Sequence, residues 1–250
     1  MKPASLHGRG ARKVIVMNGW LGCAHHWRPM LEALDPEAAE VAVFDYRGYG
    51  SRREVPGRYT FEEAAQDVLA LADALGWSRF ALVGHSMGGM AMQRVALAAP
   101  GRVERMLGLA PVGAGGTPMD AGRVALFESA LQDLAVRARI VDFSTGQRLT
   151  RAFCEAVARD SWECNRSDAM GSYFKQWTGA GFGDRARTLG LPVKVVVGEH
   201  DPSITREAVE RSWRADHPQA AIEVAANAGH YPMQEVPIAM AAGMQRWLSA

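Results

Sequence analysis

The feature that most constrains the fold is an alternation of short β-branched apolar runs with longer segments of helical periodicity. Six runs are predicted as strands: Val14–Met17, Val41–Phe44, Phe80–Val83, Val103–Leu109, Val193–Val197 and Ala221–Val224. Segments with apolar side chains at helical spacing follow most of these runs. The alternation predicts an α/β fold with a mostly parallel central sheet and helices on both faces.

The alternation breaks between the fourth and the fifth strand run. Residues 113–187 contain no run typical of a strand, and helical patterns follow one another there instead. These patterns cover Asp120–Arg137, Gln147–Arg159 and Ser167–Trp177. Because strands resume directly afterwards, an insertion is a simpler interpretation than a second domain. The prediction is therefore a core domain made of 1–112 and 188–250, interrupted by a helical cap insertion at 113–187.

Charge and composition exclude several classes of function. The 250 residues include 28 Lys and Arg against 27 Asp and Glu, with no block of like charge, so neither nucleic acid nor a membrane surface is an expected partner. The start, Met1–Arg12, is polar and unlike a signal peptide, and no stretch approaches the roughly 18 apolar residues of a membrane span. The composition favours neither a monomer nor a homo-oligomer.

The three cysteines, Cys23, Cys154 and Cys164, are an odd number without metal-ligand spacing. This pattern predicts a reduced, cytoplasmic protein with no bound metal. The Gly-rich segments lack both the P-loop lysine spacing and the dinucleotide fingerprint, so no nucleotide cofactor is expected.

The motif Gly84-His85-Ser86-Met87-Gly88 carries the functional prediction. A lone Gly-x-Ser-x-Gly is weak evidence, and a bystander serine in a Gly-rich turn would give the same letters. Here, however, a strand run precedes the motif and a helical pattern follows it, as a nucleophile elbow requires. The context predicts Ser86 as a nucleophile, with the Met87 backbone N–H at the helix start facing a developing oxyanion.

A serine hydroxyl needs a base to take its proton as it attacks. Among seven histidines, His230 is favoured because it follows the last strand run in a short Asn-Ala-Gly-His loop. His85 lies inside the elbow, where packing or backbone hydrogen bonding is the simpler role. His25 and His26 either line the pocket or begin a solvated helix.

The third member should be a carboxylate that orients the imidazole. Asp201 follows the strand run Val193–Val197, and Glu199 is the nearby alternative. The chain order Ser86, Asp201, His230 is the order of serine, acid and histidine in α/β-hydrolases.

These motifs together resemble the α/β-hydrolase fold superfamily, in particular its members with a helical cap after the strand that follows the elbow helix. The resemblance covers Val14 to Leu248, and its landmarks fall in order. They are Asn18-Gly19-Trp20, Asp45 to Gly50, Gly84 to Gly89, Gly198-Glu199-His200-Asp201, and Gly229-His230 followed by Pro232 and Glu235.

The resemblance implies that the Trp20 backbone N–H is the second oxyanion donor. The sequence departs from the superfamily in having Asn18 where a histidine commonly precedes the glycine, which changes how this loop is braced. It also has Arg52 and Arg53 after the Gly50-Ser51 turn, and these are expected to add positive charge near the rim. Ser86, in place of an aspartate, excludes the haloalkane dehalogenases and epoxide hydrolases of this fold.

The implied activity is hydrolysis of a carboxylic ester of a small to medium apolar substrate through an acyl-enzyme on Ser86. Thioester, lactone or carbon–carbon bond hydrolysis and cofactorless perhydrolysis are alternatives on the same triad. A ligand-binding receptor on a hydrolase scaffold is an alternative of another class. The apolar face of the last insertion helix either packs the insertion onto the core or roofs the pocket, with Phe174 and Trp177 contacting substrate.

Overall fold

The computed structural model describes residues 1–179 and 181–249. This part of the chain contains a seven-stranded sheet with one antiparallel edge strand and six parallel strands. The strands are β1 (Ser5–Gly8), β2 (Arg12–Met17), β3 (Ala39–Phe44), β4 (Phe80–His85), β5 (Val103–Leu109), β6 (Val193–Gly198) and β7 (Ala221–Ala225). Their spatial order is β1-β3-β2-β4-β5-β6-β7. The predicted α/β class with a mostly parallel sheet is confirmed.

Helices cover the sheet in two groups. The helices are α1 (Arg28–Glu32), α2 (Phe61–Ala74), α3 (Met87–Ala98), α4 (Ala121–Ser129), α5 (Leu134–Ser144), α6 (Arg151–Cys164), α7 (Ser167–Thr178), α8 (Gly183–Ala186), α9 (Arg206–Asp216), α10 (Pro232–Glu235) and α11 (Pro237–Ser249). In one group, α1, α10 and α11 contact one another. In the other group, α2 contacts α3, α3 contacts α8, and α8 contacts α9. Within 1–179 and 181–249, no helix combines the length and the apolar character needed to cross a bilayer.

The edge strand β1 was not predicted from the sequence. It pairs antiparallel with β3, from Ser5 opposite Val43 to Gly8 opposite Glu40. Its four residues include a single large apolar side chain, Leu6, which is 46% exposed. An edge strand buries little of its surface, so it lacks the apolar run by which the buried strands were recognised.

Between β5 and β6, the described residues form the helices α4 to α8 and no strand of the sheet. The single helix predicted at Asp120–Arg137 is wrong, because the chain breaks between α4 and α5. Asp133 causes the break, since its carboxylate accepts the backbone N–H groups of Ala135 (2.8 Å) and Val136 (3.2 Å) as the N-cap of α5. The division of the chain into a core and a separate insertion stays a prediction.

Candidate active site

Ser86 occupies the turn between β4 and α3, at φ 51° and ψ −118°. A non-glycine residue in this region carries a strain of about 1–3 kcal/mol and needs support from its surroundings. Backbone hydrogen bonds provide it: the Ser86 N–H donates to Leu109 O (3.0 Å), and Ser86 O accepts from Gly89 (2.8 Å) and Val112 (2.9 Å). The serine is thus presented at the carboxyl edge of the sheet, as the strand–turn–helix pattern predicts.

The glycines around Ser86 are required by close backbone contacts. A Cβ added at Gly84 would lie 2.4 Å from Gly88 O, and one at Gly88 would lie 2.5 Å from Met17 O. At Gly19, a Cβ would lie 2.7 Å from the His85 ring. Side chains cannot fit at these separations, so the sharp turn depends on glycine.

His230 follows β7 and forms a short hydrogen bond with Asp201, which follows β6. Its Nδ1 lies 2.6 Å from Oδ2 of Asp201. The His230 side chain is 14% exposed and the Asp201 side chain is fully buried. Because β6 and β7 are parallel neighbours, their carboxyl ends bring these residues of distant sequence position together. The pair has the geometry of an imidazole oriented by a carboxylate.

The surroundings of Asp201 favour its ionised form. Burial by itself would raise the pKa of Asp201, but the charge of His230 and the hydrogen bond to it lower that pKa below the ordinary value. The backbone N–H groups of Ile204 (3.0 Å) and Ser203 (2.9 Å), which donate to Oδ1, lower it further. The buried carboxylate is therefore charged when it meets the imidazole.

His85 holds the backbone of His230 in place. The buried His85 ring nitrogen Nε2 lies 2.8 Å from His230 O and donates to it as a neutral imidazole. Burial, together with repulsion from His230, lowers the pKa of His85 well below its usual range. The hydrogen bond to backbone that the sequence predicts for His85 is thus present.

The loop that carries His230 also contacts the helical segment between β5 and β6. The His230 N–H donates to Ser144 O (3.1 Å) at the end of α5. Arg148, in the turn before α6, forms an ion pair with Glu235, whose carboxylate also accepts the Gly229 N–H (2.7 Å). The helical segment between β5 and β6 therefore helps to set the position of the candidate base.

Ser86 and His230 line the same cavity, of about 460 Å³, and Asp201 lies behind His230. Most of its lining is apolar, including Trp20, Leu126, Phe127, Ile140, Phe143 and Trp177. A larger groove of about 830 Å³ on α5 and α6 includes none of the candidate catalytic residues. The smaller cavity is therefore the candidate active site.

The two predicted oxyanion donors come from different segments, one directly after Ser86 and one after β2. Met87 is the first residue of α3, where a backbone N–H has no partner within the helix. Trp20 lies in the loop after β2 and its side chain lines the cavity. Their roles as donors stay predictions.

Asn18 braces the loop that carries Trp20. Its amide nitrogen donates to Oδ1 of Asp45 (2.9 Å), and its Oδ1 accepts from the Trp27 indole (2.8 Å). The Tyr49 hydroxyl donates to Trp20 O (3.0 Å). Asn18 thus contacts Asp45 and Trp27 from the position where the resembled superfamily commonly has a histidine.

An aromatic wall joins the loop after β2 to the helices α4 and α7. The ring of Trp20 lies 5.3 Å from Phe127, 5.7 Å from Phe174 and 6.3 Å from Trp177 between centroids. Trp177 lines the cavity, whereas Phe174 stacks on Phe127 (5.6 Å) and is not among the lining residues. Of the two predicted substrate contacts, the structure brings only Trp177 to the cavity. Phe127 was missed because its position depends on how α4 packs.

The positive charge near the cavity does not come from the predicted arginines. Arg52 forms an ion pair with Asp67 (2.9 Å), and neither it nor Arg53 lines the cavity. Arg123 and Arg139 line it instead. Both are exposed, and neither forms an ion pair with another described residue. Sequence spacing did not indicate this pair, because Arg123 lies in α4 and Arg139 lies in α5.

Potential metal ligands lie together outside this cavity. The donor atoms of Cys23, His25 and Cys164 are within 4.8 Å of one another, as are those of Cys23, His26 and Asp160. The absence of metal-ligand spacing along the chain therefore does not exclude a cluster, because the fold brings distant segments together.

Some curated relatives match only part of this chain, and another matches most of it but is a longer protein. A putative carbamate hydrolase RutD from Caulobacter vibrioides is 37% identical over 106 residues, which are 41% of this chain and 39% of that protein. The chain thus spans about two fifths of the length of the first curated relatives that it matches. The dihydrolipoyllysine-residue acetyltransferase component of an acetoin cleaving system from Pseudomonas putida is 28% identical, over 92% of this chain and 61% of that protein.

Solved structures match nearly the whole chain at low identity. A bromoperoxidase from Bacillus anthracis superposes with a TM-score of 0.85 at 19% identity, covering 98% of this chain and 94% of that one. An enol-lactonase from Burkholderia xenovorans LB400 superposes with a TM-score of 0.82 at 22% identity, covering 98% and 95%. These similarities show the fold. Residues 13–235 match the family model of the alpha/beta hydrolase fold, and the chain belongs to this family.

Proposed function

We propose that this chain is a serine hydrolase that cleaves a carboxylic ester, or a related acyl bond, through an acyl-enzyme on Ser86. The proposal depends on one observation above all. The strained Ser86 and the hydrogen-bonded His230–Asp201 pair meet at one largely apolar cavity. Membership of a hydrolase family supports it.

In the acylation step, Ser86 Oγ attacks the substrate carbonyl carbon as Nε2 of His230 takes the hydroxyl proton. The negative charge on the carbonyl oxygen is stabilised by the backbone N–H groups of Met87 and Trp20. Asp201 holds Nδ1–H of His230 and stabilises the imidazolium. Collapse of the tetrahedral intermediate breaks the bond to the leaving alcohol, which receives its proton from His230.

In the deacylation step, water replaces the alcohol. His230 takes a proton from the water as its oxygen attacks the acyl carbon, and then returns that proton to Ser86 Oγ as the acid leaves. The net reaction is ester plus water to acid plus alcohol.

The cavity suits an acyl or alcohol group of small to medium size with an apolar body. Carbamates and lactones are further candidates for the bond cleaved, because they also place an electrophilic carbonyl before Ser86. The names of a carbamate hydrolase and an enol-lactonase among the similar proteins support testing both.

A fluorophosphonate probe, followed by an ester, lactone and carbamate panel, tests the proposed function. An activated serine should become labelled stoichiometrically at Ser86, and at least one acyl compound should turn over many times per enzyme. Labelling without turnover would favour the ligand-binding alternative, and an absence of labelling would contradict an activated serine.

Replacing Trp177 with alanine should change substrate preference, because its ring lines the cavity. We expect the ranking of ester chain lengths to shift by about 1–3 kcal/mol in kcat/KM for each substrate methylene that packs against this ring. Phe174→Ala is the matched control. It removes a buried ring that is 3% exposed behind the wall, so it should lower the free energy of unfolding by about 3–5 kcal/mol and leave the ranking unchanged. If kcat/KM depends on ester chain length in the same way for both variants and the parent, Trp177 does not contact the substrate.

Arg123 and Arg139 should favour substrates with an acidic end. We expect Arg123→Gln or Arg139→Gln to lower kcat/KM for the half-ester of a dicarboxylic acid by about 2- to 5-fold, as is typical of exposed ion pairs. The neutral ester of equal length should be unaffected, and added salt should shrink the difference. Arg53→Gln, an exposed arginine away from the cavity, is the control. Equal losses for the charged and the neutral ester would contradict charge recognition.

A further inference from the structure

Two segments far apart in sequence bring a pair of cysteines together. Cys23 lies at the end of the loop after β2, just before a 3₁₀ turn at Ala24–Trp27, and is 1% exposed. Cys164 is the last residue of α6 and is half-buried. The two thiols and a ring nitrogen of the exposed His25 lie within 4.8 Å of one another. None of these residues lines the cavity that contains Ser86.

The spacing of these donors is close to that of a tetrahedral metal site. With metal–sulfur bonds of about 2.3 Å and metal–nitrogen bonds of about 2.0–2.1 Å, tetrahedral ligand atoms lie roughly 3.5–3.8 Å apart. Because the three donors lie within 4.8 Å of one another, they need to approach by at most about 1.0–1.3 Å. His25 is exposed and has the freedom to make this adjustment, and water can complete the fourth position.

A second observation comes from His26, which is fully buried beside this cluster. Neither of its ring nitrogens makes a hydrogen bond with any residue of 1–179 or 181–249. Nε2 lies 3.5 Å from Oδ2 of Asp160, and both donors are within 4.8 Å of Cys23 Sγ. Nδ1 of His26 has no partner among these residues, and Nε2 faces only Asp160. A buried polar atom without a partner is costly, so the space beside Cys23 favours a further polar or ionic ligand.

The electrostatic surroundings favour a cation. The carboxylate of Asp160 lies within 4.8 Å of Cys23 Sγ, and its negative charge attracts a positive ion. Two thiolates and an imidazole form a soft donor set that prefers Zn²⁺ over Mg²⁺ or Ca²⁺.

We infer that Cys23, Cys164 and His25 form a binding site for a thiophilic divalent cation of the Zn²⁺ class, separate from the serine site. Binding replaces the two thiol protons by one metal ion, M²⁺ + 2 RSH → M(SR)₂ + 2 H⁺, with no change of oxidation state. The Asn165 amide already donates to Gly22 O (3.0 Å) between the same two segments. The ion would join the loop that carries Trp20 to the end of α6.

Zn²⁺ alone, titrated into the reduced 250-residue chain under argon against a chromophoric chelator, tests the inference. We expect one equivalent to bind, with release of about two protons and a rise in the thermal midpoint. Co²⁺ in place of Zn²⁺ should give a thiolate-to-metal charge-transfer band and tetrahedral visible bands. Cys23→Ser, Cys164→Ser and His25→Asn should each weaken or abolish uptake. Cys154→Ser changes the one cysteine outside the cluster and should behave like the parent.

Metal uptake and the Co²⁺ spectrum of the parent chain test the site even if a variant fails to fold. A Co²⁺ spectrum without a thiolate band, or no uptake of either ion, would overturn the site. If the reduced protein takes up no metal but forms a Cys23–Cys164 disulfide when it is exposed to oxygen as the oxidant, that result would overturn the site in favour of a redox pair. Stoichiometric uptake by a folded Cys23→Ser, Cys164→Ser double variant would do so as well.

Discussion

Replacing Ser86 with alanine should abolish turnover and leave the fold intact. The variant lacks the nucleophile and retains only binding and oxyanion stabilisation, so kcat should fall by about 10⁴- to 10⁶-fold. The hydroxyl contributes little to the core, and the free energy of unfolding should change by no more than about 1 kcal/mol. The measurements are kcat on the best ester of the panel, fluorophosphonate labelling and denaturant unfolding.

Ser203→Ala is the matched control for this experiment, because Ser203 also lines the cavity but lies outside the elbow. Its side-chain hydroxyl has no role in the proposed mechanism, so turnover and labelling should persist. A kcat near the parental value in Ser86→Ala would contradict the proposed mechanism at its first step.

Replacing Asp201 with asparagine should lower kcat by about 10⁴-fold at neutral pH. The side chain keeps its size, but an amide that donates to Nδ1 would hold His230 in the wrong tautomer and would not stabilise the imidazolium. The loss should appear mainly in kcat rather than in KM, because Asp201 lies behind His230 and away from the substrate. Glu199→Gln, which changes the nearby alternative acid, should keep activity close to that of the parent.

The same variant should report the pH dependence of stability. The pKa of Asp201 is lower in the folded chain than its ordinary value. Its charge therefore stabilises the fold above the unfolded-state pKa, and this contribution is lost as the pH falls through the folded-state pKa. The parent should be more stable than Asp201→Asn at neutral pH, and the difference should shrink in acid. A difference that grows on acidification would contradict an ionised Asp201.

The sequence supported the fold class and the elbow because both have strictly local causes. A buried parallel strand needs a continuous apolar run, and the turn after β4 needs glycine where backbone atoms lie within 2.5 Å of the added Cβ. The ends of parallel strands meet at one edge, so Ser86, Asp201 and His230 could be selected by position alone. Their catalytic roles stay predictions.

The features that were missed depend on how distant helices pack. Phe127 reaches the aromatic wall only because α4 lies over the loop of Trp20, and Cys164 approaches Cys23 only because of where α6 ends. Phe174 and Trp177 share a helical face in sequence, and both pack against Phe127, at 5.6 Å and 5.5 Å between ring centroids, yet only Trp177 lines the cavity. Periodicity identifies an apolar face but not the neighbour that will cover it.

The hydrogen bond from the His230 backbone to Ser144 O has a consequence for exchanging specificity between relatives. A chimera that received another protein's segment between β5 and β6 would gain a new binding surface. It would also lose the Ser144 carbonyl that supports His230, the proposed base. Transplants that keep 144–148, with Arg148 bound to Glu235, should retain turnover on the donor's substrates. Transplants that replace 144–148 should bind those substrates but hydrolyse them slowly. Further substitutions that restore a hydrogen bond to the His230 backbone should recover the rate.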